Sequence, residues 1–345
     1  MRQFLSFFAL SFCLLLAACG REPLYQSQTY VFGTLVDISI YGEPEERARD
    51  LANHVQKEFQ RLHNQYHAWQ QGSEIARLNA AFAKGETTAI SPELAAILKD
   101  ATAWSEKSGG LFNPAIGHLV KLWGFQADEF KPVHPDAAKI AALVKANPQM
   151  HDIVVEGGKA YSRNPAVKLD LGGYLKGYAL DLAADYLRQQ GVHDALINIG
   201  GNIIAIGSHG DKPWRVGIQH PRQPGPIATL DLADGWAIGT SGDYQRYFEL
   251  DGVRYCHIID PRTGYPSQNT QAVTILVPPG KQTGTISDVA SKPIFIVKPA
   301  ERQNAARIMG VEYVMIIDKT GSITVSAPME KRLTWVDKNA APHVF

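Results

Sequence analysis

The chain has 345 residues, 45% of them hydrophobic, with 34 Lys and Arg balanced by 34 Asp and Glu. That length supplies ample apolar material for one large domain or two ordinary ones. Zero formal charge removes the electrostatic reason to expect nucleic acid or an anionic membrane face as partner. It leaves room for a local phosphate site made from a few placed donors.

Residues 1–18 read as a targeting segment rather than as fold. Arg2 supplies a positive start, and Phe4 to Leu16 form an apolar run too short to span a bilayer. The run ends in Leu16-Ala17-Ala18-Cys19-Gly20, which resembles the bacterial lipoprotein cleavage box. That resemblance implies cleavage before Cys19, lipidation of Cys19, a tether over residues 19–29, and a periplasm-facing protein held in the cell envelope by its lipid. Cleavage removes Cys13 and lipidation consumes Cys19, so Cys256 is the one thiol left and no intrachain disulfide can form. Cys256 lies in an apolar run and reads as a buried small hydrophobe.

The folded domain is expected over residues 30–330, with 331–345 as a polar tail trailing over the surface. Val36, Ile38 and Ile40 alternate with Asp37 and Ser39, the period of a half-buried strand. After Pro44 a helix carries Ala48, Leu51, Ala52, Val55, Phe59 and Leu62 on one stripe. Ser91-Pro92 is a cap followed by an N1 proline, and the helix it opens ends at Gly109-Gly110. A third helix runs from about Tyr174 to Gln190 and stops at Gly191. Short strands are expected at Asp194–Ile199, Trp214–Gln219, Ile227–Leu232, Val253–Ile259, Ala272–Val277 and Tyr313–Asp318. Strands mixed with a few helices, without regular βαβ alternation, predict an α+β fold of mixed, mostly antiparallel strands.

Four segments hold residues that a core does not need. Lys168-Leu169-Asp170-Leu171-Gly172-Gly173-Tyr174-Leu175-Lys176-Gly177 passes from a strand end through two glycines into the third helix. Two readings stand here: an anion cradle of backbone N–H groups at a helix start, or a left-handed turn that merely enters a helix. Lys176, in the first turn, is mildly wrong for the helix dipole and right for a bound phosphate. Gly110–Gly117 with Trp123-Gly124-Phe125, Ile199-Gly200-Gly201-Asn202, and Thr240–Asp243 with His257–Pro266 are the others. Asp260 reads as a turn-capping carboxylate. His63 and His67 form an HxxxH pair with no third zinc ligand in view, and read as a solvated helix face. There is no GxGxxG, GxxxxGK[ST] or GxSxG.

Taken in order with Phe32-Gly33-Thr34, Trp69…Gly72-Ser73-Glu74…Leu78-Asn79 and Asn198–Asn202, these segments resemble the ApbE family of FAD:protein FMN transferases between Tyr30 and Ala327. The resemblance implies a magnesium-dependent enzyme. It moves FMN from FAD to a threonine hydroxyl of a target protein, typically an Nqr- or Rnf-type respiratory subunit, and releases AMP. By the same resemblance Phe32 stands where the family packs a methionine on the flavin, and Trp69 offers a stacking ring. Asn113, Pro114 and Ala115 match the flavin-nucleotide loop, Asp170 and Lys176 the nucleotide-binding acid and base, and His257 the reaction centre, where it also contacts the cofactor. Gly173 matches a carbonyl ligand of magnesium and Asp288 the metal carboxylate. Lys292 departs from the family, which places a metal-binding threonine there. On the favoured account Ser291 supplies that oxygen and Lys292 points to a nucleotide phosphate; on the other, the Lys292 charge replaces the metal in part. Two alternatives share the resemblance: an FAD pyrophosphatase giving FMN and AMP, and a flavin-binding lipoprotein without chemistry.

Overall fold

A nine-stranded sheet forms the backbone of the molecule. In the computed structural model, residues 23–127 and 129–345 are described; the lipidation expected at Cys19 and the expected targeting segment at residues 1–18 lie outside them. The strands follow one another across the sheet as Leu24–Val31, Thr34–Tyr41, Asp194–Ile199, Asn202–Ile206, Ala237–Gly242, Thr270–Val277, Tyr313–Asp318, Ile323–Val325 and His343–Val344. Every neighbour pair is antiparallel except the last, where His343–Val344 runs parallel to Thr324 and Val325. The expected mixed, mostly antiparallel α+β fold is what forms.

The sheet is buried on both faces, so its strands differ in pattern. Val36, Ile38 and Ile40 are sealed on one face under the Glu45–Tyr66 helix, whose stripe from Ala48 to Leu62 is buried as its periodicity requires. The Leu175–Gln189 helix packs beside it through Leu180, Ala183 and Leu187. Thr270–Val277, central in the sheet, is buried at all eight positions and shows no alternation. The opposite face is covered by a three-stranded sheet of Trp214–Gln219, Pro226–Leu232 and Thr334–Trp335. A satellite core of Leu119, Trp123, Phe125, Ile140, Phe248 and Ile259 lies apart from both.

Both ends of the expected domain need correction. The first strand begins at Leu24, pairing with Tyr41, so residues 24–29 belong to the sheet and not to a tether. Residues 331–345 do not trail: Trp335 pairs with Ala228 and Val344 with Val325, and backbone bonds of polar sequence give no apolar periodicity to read. The Ser91 hydroxyl accepts from Leu94 N at 3.1 Å ahead of Pro92, as the cap signal implied. Gly200 and Gly201 both have positive φ and form the tight hairpin between adjacent strands, which accounts for them without a bound molecule.

Candidate active site

One loop, Asp170 to Gly177, joins two groups of residues. On its Asp170 side the separated motifs are stitched together by backbone. Lys168 N donates to Ala115 O (3.0 Å), Asp170 N to Pro114 O (2.8 Å) and Gly117 N to Lys168 O (2.7 Å). The Asn113-Pro114-Ala115 loop therefore runs alongside the Asp170 segment. Asn113 is buried; its amide donates to Pro148 O at 2.9 Å and its oxygen accepts from Ala115 N at 3.0 Å, which holds the loop's shape. Trp69 closes this side, its Nε1 donating to Asp170 Oδ2 at 2.9 Å while the Lys168 ammonium lies 4.9 Å from its ring centre. Asp170 Oδ1 accepts from Gly172 N at 2.9 Å. Asn79 fixes the segment from below, donating to Leu169 O at 2.9 Å and accepting from Leu169 N at 2.6 Å.

Phe32 adjoins this wall through a run of rings. It has φ of 57° at the tip of the first hairpin and packs on Phe59 and edge-on to His63, with centroids at 6.0 and 5.8 Å. His63 in turn meets His67 at 4.9 Å, and His67 Nδ1 accepts from Trp69 N at 3.2 Å. His63 and His67 thus link Phe32 to Trp69, which corrects the reading of a merely solvated face.

On the Gly177 side three cations converge. The Leu175–Gln189 helix crosses Thr283–Val289 so closely that a Cβ on Gly177 would lie 2.7 Å from Thr285 Cα and 2.9 Å from Asp288 Cβ. Asp181 secures the crossing, accepting from Gly284 N at 2.6 Å and from Thr285 N and Oγ1 at 2.8 and 2.7 Å. Asp288, expected in a polar turn, is instead a buried helical residue of Thr283–Val289. Its Oδ2 accepts from Gly177 N at 3.2 Å, and its Oδ1 pairs with the ammonium of Lys292, which also donates to Asp288 O at 2.6 Å. Burial pushes the Asp288 carboxyl up, but the charges of Lys292 and Lys176 outweigh it and hold the group below the usual carboxylate range. Lys176 is lowered by burial against the pull of Asp288, with Lys292 and Arg246 adding to the shift.

His257 stands next to these charges. Its backbone N donates to Arg246 O at 3.0 Å, and its Nδ1 lies 3.3 Å from the same carbonyl. Enclosure by protein, then Arg246, Lys176 and Lys292, drive its pKa well below the ordinary histidine value, so the ring is neutral at pH 7. Arg246, which carries no motif signal, donates to Phe125 O at 2.8 Å, and Trp123 Nε1 donates to Gly264 O at 2.8 Å. Those two bonds tie the Trp123-Gly124-Phe125 segment to the His257–Pro266 segment. Asp260 accepts from Arg262 N at 2.9 Å, the turn cap it was read as. Cys256 is buried and its thiol is pushed up to about 12, as suits an inert hydrophobe.

The residues expected to hold magnesium do not fit that ion as they stand. Both Asp288 carboxylate oxygens accept from protein donors, and Ser291 Oγ is engaged with Ser241 Oγ at 2.7 Å and Asp288 O at 2.9 Å. Lys292, expected to point to a nucleotide phosphate, folds back one helical turn so that its ammonium pairs with Asp288. Gly172 and Gly173 do not adopt positive φ, which removes the left-handed-turn reading. A Cβ on Gly173 would meet Lys292 Cε at 3.0 Å, so the bare backbone makes room for the lysine chain. A surface cavity of about 600 Å³ lined by Arg47, His54, Tyr186 and Gln190 shares no residue with this cluster.

The sequence profile of the ApbE family matches residues 32–315. The chain belongs to the ApbE family. It is 40% identical over 308 residues to an FAD:protein FMN transferase of Rhodobacter capsulatus, covering 89% of this chain and 58% of that protein. The chain thus spans somewhat more than half the length of that relative. A Klebsiella pneumoniae FAD:protein FMN transferase is 30% identical, with 95% of this chain and 96% of the relative covered. Among solved structures, the ApbE protein of Thermotoga maritima superposes with a TM-score of 0.80 at 28% identity, over 90% of this chain and 99% of that one. The flavin transferase ApbE of Vibrio cholerae gives 0.77 at 26%, over 90% and 99%.

Proposed function

We infer that this chain is an FAD:protein FMN transferase, moving FMN from FAD onto a hydroxyl of a target protein. The observation that carries the reading is the way the loop from Asp170 to Gly177 joins the Trp69–Asp170 wall to the Asp288–Lys292 pair, with His257 seated against Arg246 O beside them. Transfer from a pyrophosphate requires charge neutralisation and positioning more than covalent catalysis. Fixed cations in a part-enclosed site supply the first. Trp69, the Asn113–Ala115 loop and Asp170 are joined by direct bonds and supply the second, as a wall for the flavin and nucleotide.

The acceptor hydroxyl oxygen attacks the phosphorus on the flavin side of the pyrophosphate. A new P–O bond forms, the bond to the bridging oxygen breaks, and AMP leaves with that oxygen. The hydroxyl proton passes to the neutral His257 ring, which releases it to solvent. Magnesium, where the family uses it, neutralises phosphate charge; here that neutralisation falls to Lys176, Lys292 and Arg246. The acceptor is a threonine of an Nqr- or Rnf-type respiratory subunit, a reading supported by the family resemblance. Anchoring by lipid on Cys19 and a periplasm-facing position are supported by the Leu16–Gly20 box alone.

The test is incubation with FAD and a candidate acceptor domain, read by mass spectrometry. A covalent FMN adduct with equimolar AMP is expected. Free FMN plus AMP without adduct would replace the reading by a pyrophosphatase, and intact FAD by a binding protein.

A further inference from the structure

Every group that reaches the Asp288 carboxylate is a hydrogen-bond donor. Lys292 gives its ammonium to Oδ1 and Gly177 its N–H to Oδ2, while Lys176 acts on the carboxylate by charge. The amide of Asn202, itself 1% exposed, lowers the carboxylate's pKa, although its Nδ2 makes no hydrogen bond of ordinary geometry. A site for a hard divalent cation is made the opposite way, from several oxygens that present lone pairs to one point. Here one carboxylate has its lone pairs directed at protons, and the Ser291 hydroxyl is tied to Ser241 and to the Asp288 carbonyl.

The position between Gly173 and Asp288 is filled instead by the lysine itself. Lys292 Cε comes within 3.0 Å of where a Gly173 Cβ would be, and the ammonium reaches both the carboxylate and the main-chain carbonyl of Asp288. The Asp288 side chain is 2% exposed and that of Lys292 15%, so the lysine side chain is sheltered without being sealed. Asp288 and Lys292 lie one turn apart, Asp288 on Thr283–Val289 and Lys292 on Ser291–Ile296. Ser267 and Thr270 both donate to Phe295 O, which fixes that second helix against the sheet.

We propose that the Lys292 ammonium is the resident cation of this site, and that the chain transfers FMN without a divalent metal. Resting on the flavin-transfer reading, this assigns to Lys292 the neutralisation of the pyrophosphate that a metal ion would otherwise give. Asp288 is then a positioning residue, holding the ammonium at the site rather than ligating an ion. Ammonium is a point charge with three donors, suited to phosphate oxygens as well as to a carboxylate.

The test uses the full chain stripped of metal, with FAD and an acceptor domain, in excess chelator and again with added Mg²⁺. Transfer by the wild type should agree within about twofold between the two conditions. The Lys292→Thr variant should lose about 100-fold or more in chelator, the range seen when a charge-stabilising donor is removed, and regain activity with Mg²⁺. Mn²⁺ binding followed by electron paramagnetic resonance gives a readout that needs no turnover: none expected for the wild type, and one site for Lys292→Thr. A wild type that stops in chelator and restarts with Mg²⁺, or that binds one Mn²⁺ at micromolar concentration, overturns the proposal. Absence of adduct and of AMP under every condition would count against flavin transfer itself, and the Mn²⁺ titration would then decide the metal question by itself.

Discussion

The indole Nε1 of Trp69 donates to Oδ2 of Asp170 over 2.9 Å, joining residues 101 positions apart in the chain. The bond fixes the plane of a ring that the flavin or nucleotide would stack upon, so binding there would depend on the pair and not on either member alone. Trp69→Ala and Asp170→Ala should each weaken FAD binding, and the double variant should be less impaired than the sum. The expected coupling is about 0.5–3 kcal/mol, the range for residues in direct contact. Fluorescence titration of FAD across the four proteins measures it; strict additivity would separate the ring from the carboxylate.

His257 is held neutral by enclosure and by Arg246, Lys176 and Lys292. As the proposed proton acceptor it would work only when neutral, and its depressed pKa would move the acid loss of activity well below pH 6.5. The rate should therefore be flat from pH 7 down past 6.5 and fall only as the ring finally protonates. Arg246→Gln removes one of the repelling charges, raises the His257 pKa, and should shift that acid limb upward. His257→Ala should cost about 10²–10⁴ in transfer while FAD binding survives, a split seen by comparing kcat with a binding titration.

Asn79 is buried and satisfies both the N–H and the C=O of Leu169. Asn79→Ala leaves two main-chain groups without partners, each costing about 1–3 kcal/mol. Thermal unfolding should show the loss, with weaker FAD binding because Asp170 follows directly. An Asn79→Ala protein as stable as the wild type would mean that water replaces the amide.

Gly177 has no space for a side chain where its helix crosses Thr283–Val289, with Thr285 Cα at 2.7 Å from an added Cβ. Gly177→Ala should destabilise by about 1–3 kcal/mol through overpacking and displace Asp288. Transfer should fall further than stability does, since Gly177 N is itself bonded to Asp288. Parallel unfolding and activity measurements separate the two losses.

Much of the fold was legible in the sequence. The Ser91-Pro92 cap, the apolar stripe from Ala48 to Leu62 and the strands Asp194–Ile199, Trp214–Gln219 and Tyr313–Asp318 follow from local periodicity and local backbone chemistry. The helices at Thr283–Val289 and Ser291–Ile296 were not, because they are short and buried almost throughout, which erases any stripe. Arg246 and Lys168 were missed for a different reason. Arg246 reaches the site through a bond to Phe125 and through its charge on His257, and Lys168 by lying over Trp69. Such contacts depend on long-range register, for which a single sequence carries no local mark. The direction of Lys292 belongs to the same class: the sequence suggested a nucleotide phosphate as its partner, or a charge partly in place of the metal, and the pairing with Asp288 emerges only once the two short helices are placed.

The first strand begins at Leu24, only five positions beyond Cys19. At about 3.3–3.6 Å per residue at full extension, an acylated Cys19 would hold the edge of the sheet within about 18 Å of the lipid. On so short a leash the domain would be unable to search far from the lipid. Were Cys19 acylated, the domain's encounters would become two-dimensional, with a high effective concentration for acceptors embedded in the same bilayer and a low one for freely diffusing ones. A membrane-bound acceptor would then have to present its hydroxyl close to the headgroups, and lengthening the tether by a flexible insert should slow its modification while leaving a soluble acceptor domain unaffected.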